Sequence, residues 1–113
     1  MRQRLNRTLF VGVVLAGLSA FCARSARAQS AAETLFKTKC AACHGPDGKG
    51  EVPMGKKLAI PSLSAPEVQS QTDAQLTEAI AKGKNKMPAY DGKLSKEQIT
   101  SLVAYIRELG KKH

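Results

Sequence analysis

The chain has 113 residues, with 18 Lys and Arg against 9 Asp and Glu and a formal net charge of +9. At 42% hydrophobic and 24% charged residues it suits one small folded domain, which excludes a large enzyme, a repeat array and a polytopic membrane protein. Aromatic residues are only 4%, with no Trp, and three Cys and two His leave little material for a multi-metal centre.

Residues 1–28 read as an address. Arg2, Arg4 and Arg7 form a basic start, Thr8 to Ala23 carries no charge, and Ala26 and Ala28 stand in the small-residue positions of a cleavage site. The apolar centre falls short of the ~20 residues that span a membrane, and no paired arginines precede it, so a secretory signal peptide using the general route is expected. A rival reading, lipid attachment at Cys22, is disfavoured by Phe21, where such sites carry a small residue. Cleavage after Ala28 removes Arg2, Arg4, Arg7, Arg24 and Arg27 and no acid, so the charge falls from +9 to +4. Much of the basicity is therefore targeting, and no nucleic-acid partner is expected. A domain over 29–113 remains, with Cys40 and Cys43 as its cysteines.

Ser30-Ala-Ala-Glu33 has the form of a capping box, and Ala32, Phe36 and Cys40 follow at helical spacing, which predicts a helix from about Ala31 to Cys40. Gly45 to Ile60, rich in Gly and Pro, reads as a loop. Ser64-Ala-Pro-Glu67 predicts a short helix ending near Gln69. Thr72-Asp-Ala-Gln75 opens another, with Leu76 and Ile80 inward and Gly83 as its stop. Ser95-Lys-Glu-Gln98 opens the last, in which Ile99, Leu102, Val103 and Ile106 share a face and Gly110 with the lysines behind it closes the helix. No stretch alternates with period two, so the expected class is all-α.

Helices this short need a shared apolar face, and after the leader Phe36, Tyr90 and Tyr105 are the only aromatics. Domains of this size commonly complete their core with a disulfide, a metal or a cofactor. Cys40-Ala-Ala-Cys43-His44 supplies the means: it is the C-x-x-C-H pattern of covalent haem attachment. Two thiols one helical turn apart reach adjacent vinyl groups of one porphyrin, and the next residue offers its imidazole to the iron. A dithiol oxidoreductase would need a βαβ scaffold, a zinc site lacks a fourth ligand, and a disulfide here would close too small a loop to stabilise much. For the iron's far side, His113 is terminal and Met54 lies in the Gly-rich loop. Met87 follows a helix stop, and Pro88 biases it towards extended geometry. A lone Met is more commonly a core residue, but with the haem motif upstream Met87 becomes the expected ligand and Met54 the alternative.

These residues resemble the class I cytochromes c, in particular the small bacterial monohaem kind. The likeness covers nearly all of 29–113: Phe36, Cys40 to His44, Pro61 with Leu63, Gly83-Lys-Asn-Lys-Met87-Pro-Ala-Tyr90, and Leu102-Val-Ala-Tyr105-Ile106. The resemblance implies about four helices wrapped around one haem c, with the first and last helices crossing at Ala32, a position the family often fills with Gly. It also implies that the Pro61 carbonyl accepts the Nδ1–H of His44, orienting the ring. With His44 and Met87 as axial ligands, the chain is expected to be no enzyme but a monomeric, periplasmic one-electron carrier, outside the membrane once cleaved. Lys37, Lys39, Lys82, Lys84 and Lys86 flank the site residues; they are either ordinary solvated charge or a steering field for transient acidic-surfaced redox partners. An open-site haem enzyme or gas sensor, and an electron-accepting subunit of a larger dehydrogenase or oxidase, are the alternative functions.

Overall fold

The computed structural model describes residues 22–23 and 25–112, and they are helical apart from turns and isolated bridges. Most of the expected leader, including 1–21 and Arg24, lies outside them, as does His113. The first helix, α1, is continuous over 25–39. The expected box at Ser30 is not formed, because the Ala-rich residues before it continue the helix upstream. Ser30 is an interior position whose carbonyl accepts a bond from Thr34 Oγ1 at 3.1 Å.

Five further helices follow: α2 (Ala41–His44), α3 (Pro53–Lys57), α4 (Pro66–Gln69), α5 (Asp73–Lys82) and α6 (Lys96–Lys111). Helix α3 interrupts the expected Gly45–Ile60 loop, opened by Pro53 in its first turn. In α4 the N-cap is Ala65 and not Ser64, with no side-chain cap bond. Pro66 disfavours helical geometry at the residue before it, so Ala65 is extended and Ser64 bonds Ser62 instead.

The other two boxes form in full. Thr72 with Gln75 caps α5 and Ser95 with Gln98 caps α6, each side chain satisfying the other's backbone N–H. Helix α5 ends at Gly83 as expected. Helix α6 does not end at Gly110 but runs to Lys111. The glycine serves close packing: a Cβ there would lie 2.5 Å from the Gln69 side chain.

The periodic face of α6 buries Ile99, Leu102, Val103, Tyr105, Ile106 and Leu109. Helix α5 packs on it through Leu76 and Ile80. Helix α1 meets it through Phe36, whose ring lies 5.2 Å from that of Tyr105. Ala32, the expected crossing position, is 2% exposed. Phe36 and Tyr105 are the two aromatic rings in this core, alongside Leu63, Val68 and aliphatic side chains of α5 and α6.

Candidate haem centre

Only Cys40 separates α1 from α2, and the C-x-x-C-H motif runs from it to the end of α2. Cys40 closes α1 by donating its N–H to the Phe36 carbonyl at 2.8 Å, then accepts from His44 N–H at 3.0 Å as α2 begins. The Cys40 and Cys43 thiols are both free and half-buried, one turn apart. The loop behind is tied down where Gly50 N–H meets the His44 carbonyl at 2.7 Å, so the imidazole hangs from a fixed backbone.

His44 packs beside Phe36, ring centroids 6.5 Å apart. Burial pulls its pKa below the ordinary imidazole value, favouring the neutral form that binds metals. Burial likewise pushes the Cys40 thiol up. The bond expected from His44 Nδ1 to the Pro61 carbonyl is not made: Nδ1 is buried without a hydrogen-bond partner.

Another wall is a tight turn. Lys84 and Met87 exchange backbone bonds, at 2.9 Å from Met87 N–H and 3.3 Å from Lys84 N–H, with Asn85 between them in the left-handed region at φ 55°. Gly83, at φ 74°, makes the turn possible, since a Cβ there would sit 2.5 Å from the Met87 carbonyl. The turn delivers Met87 to the same cavity that His44 lines.

That cavity is small, about 80 Å³, and its wall is almost wholly apolar. Phe36, Cys40 and His44 form one side, Met87, Tyr90 and Leu94 another, and α5 and α6 close it with Leu76, Ile80, Leu102 and Ile106. Cys43 and Pro61 are outside this lining. Met54 is far from it in character: it is 44% exposed on α3. A wider groove between the starts of α1 and α6 contains no Cys, His or Met.

Of the lysines singled out, Lys37 pairs with Glu33 at 2.6 Å and Lys82 with Asp91 at 3.4 Å, while Lys39, Lys84 and Lys86 are exposed. Two features carried no sequence signal. Tyr90 Oη donates to the Lys39 carbonyl at 3.1 Å, across 51 residues of chain. Gln69 and Arg107 knit α6 to the segment around α4.

A family model described as cytochrome c oxidase, cbb3-type, subunit III, matches residues 27–106. Cytochrome c6 of Thermostichus vulcanus is 33% identical over 98 residues, covering 87% of this chain and 79% of its own length. That of Leptolyngbya boryana is 33% identical over 78 residues, covering 69% of this chain and 88% of its own. The chain belongs to the class I cytochromes c.

Its likeness extends to the cbb3-type cytochrome c oxidase subunit FixP of Bradyrhizobium diazoefficiens, 33% identical over 69% of this chain, which spans only 26% of that protein. This cytochrome c has a covalently bound haem c as its cofactor. The site fits such a group on three counts. The cavity is apolar, the free Cys40 thiol lines it with the free Cys43 thiol one turn further on, and the His44 ring lines it with its Nδ1 buried. Among the described residues no group of three or more His, Cys, Asp or Glu could hold a bare metal ion.

Proposed function

We propose that the chain is a single-electron carrier exported to the periplasm and cleaved after Ala28. The observation that carries this reading is the convergence of His44 and Met87 on one apolar cavity. In it, Cys40 and Cys43 would form the two thioether links, and His44 Nε2 and Met87 sulfur would hold the iron. The Pro61 carbonyl is the acceptor we assign to the buried Nδ1–H of His44, which needs one.

The bound haem supplies reversible one-electron redox chemistry. The chain's residues fix the two ligands, exclude water and keep the surroundings rigid, so that little reorganises when charge changes. No acid or base of the protein takes part. Among the described residues, which leave out 1–21, no helix is long and apolar enough to cross a membrane. Exposed Lys39, Lys84 and Lys86 flank the Cys40 and Met87 segments and offer a positive rim to acidic redox partners in brief encounters.

The family model's description favours a second reading, an electron-accepting unit of an oxidase complex. The share of cytochrome c6 covered, 79% and 88% against 26% of FixP, weighs towards the free carrier. Co-purification with a membrane oxidase would instead favour the subunit.

Optical spectra of the purified holoprotein with and without carbon monoxide test the ligand set. The expected result is a six-coordinate, low-spin centre that takes up carbon monoxide slowly, and a Met87→Ala variant that binds it rapidly at a lowered reduction potential. Rapid binding by the unmodified reduced protein would indicate an open site, and an unchanged spectrum in Met87→Ala would remove Met87 from the ligand set.

A further inference from the structure

The turn bearing Met87 is fastened mainly to α5. Tyr90 N–H donates to the Ile80 carbonyl at 3.1 Å and Asp91 N–H to that of Ala81 at 2.9 Å, so residues 84–94 fold back along one helix. The thiol-bearing wall, 36–44, belongs to a different part of the chain. Among the described residues one hydrogen bond joins the two: the Tyr90 hydroxyl to the Lys39 carbonyl, at 3.1 Å. Its ends are well placed. Lys39 immediately precedes Cys40, and Tyr90 lies three residues after Met87 with its ring against the cavity. The acceptor is a carbonyl at the end of α1, one of those that a helix terminus leaves without an intrahelical partner.

We propose that Tyr90 is a positioning residue, a strap across the mouth of the cavity that keeps Met87 on the iron. The inference rests on the reading of Met87 as an axial ligand. Without the hydroxyl the 84–94 segment keeps its bonds to α5 but can swing on them away from Cys40, taking the thioether with it. With the hydroxyl, the segment is held at both ends and Met87 returns to the iron before a competitor occupies its place. The ring keeps its packing in either case, so the effect belongs to the oxygen.

The probe is imidazole, titrated optically into the ferric holoprotein, where it competes with Met87 for the iron. Tyr90→Phe should bind imidazole about five-fold more tightly than the parent, the factor that one net hydrogen bond of ~1 kcal/mol carries. In a Met87→Ala background, where there is no thioether to displace, the same Tyr90→Phe change should alter the affinity less than two-fold. An unchanged affinity in Tyr90→Phe would overturn the strap. So would an equal gain in both backgrounds, which would mark a general loosening of the pocket. If Met87→Ala itself leaves the parent's imidazole affinity unaltered, the axial assignment of Met87 fails, and that result is distinct from a failure of the strap.

Discussion

Arg107 shows what one planar guanidinium does that the hydrophobic pattern of α6 does not reveal. Its Nη1 donates to the Gln69 carbonyl at 2.8 Å, its Nη2 to the Gln71 carbonyl, and its Nε to Asp73 Oδ1 at 3.0 Å. Gln69 extends the network, with Nε2 donating to the Leu63 carbonyl at 2.6 Å and to that of Ile106 at 3.1 Å. Leu63 lines the cavity, so the clamp holds the wall near Pro61 against the last helix. The ion pair with Asp73 is the lesser part, because that carboxylate is 76% exposed. The larger part is the satisfaction of carbonyls at the junction of α4 and α5. Arg107→Ala should therefore destabilise the holoprotein by about 2–3 kcal/mol, read from the urea midpoint. Gln69→Ala should not add its full cost to that of Arg107→Ala, since the two share partners. A midpoint unmoved by Arg107→Ala would show that water replaces the fork without loss. Neither residue stands out in the sequence, because a polar side chain on a helix reads as surface until the segment it meets is known.

At the scale of elements, four stretches share the signature S/T-x-x-E/Q, and they divide evenly. Thr72 and Ser95 cap helices as their sequences suggest, whereas Ser30 and Ser64 do not. The difference lies outside the four residues. Ser30 follows a run that already favours helix, and Ser64 precedes a proline whose ring pushes the boundary one residue on. Ser95→Ala should cost about 1 kcal/mol of holoprotein stability. In the uncleaved chain Ser30→Ala should change stability by less than about 0.5 kcal/mol, since the helix there runs through Ser30 and no cap is removed. Thermal melts of the two variants side by side test this, and equal losses would contradict the difference between the two helix starts. The same limit explains the rest of what was and was not legible. The periodic face of α6, the stop at Gly83 and the C-x-x-C-H turn are local patterns and were readable. Helix α3 announced itself only by Pro53 and two closing lysines, inside a stretch whose glycines read as loop. Gly110 resembled a helix stop because the sequence does not show that Gln69 needs the space. The sequence already ranks Met87 above Met54 as the partner of His44, and the fold adds that Met87 and His44 line one cavity while Met54 is exposed.

For the whole molecule, the pattern of burial leaves one conspicuous feature: apolar side chains of several helices converge on a single cavity. The core around it relies on aliphatic residues and the rings of Phe36 and Tyr105, and residues of four helices face the cavity at once. Burying several hundred Å² of porphyrin there at ~25 cal/mol/Å² contributes on the order of 10 kcal/mol as an upper bound. That is as large as the ~5–15 kcal/mol net stability of an ordinary domain, so haem is part of the interior and not an addition to a finished fold. The haem-free chain should consequently be unfolded, or compact with helices but without fixed packing. A Cys40→Ala/Cys43→Ala variant isolated without haem tests this by calorimetry and near-ultraviolet circular dichroism, where a broad, non-cooperative melt and a weak aromatic signal are expected. A sharp melt would mean that the crossing of α1 on α6, with Phe36 against Tyr105, suffices by itself. The cavity would then be a preformed receptacle, and attachment at the two thiols would tether the cofactor without completing the fold.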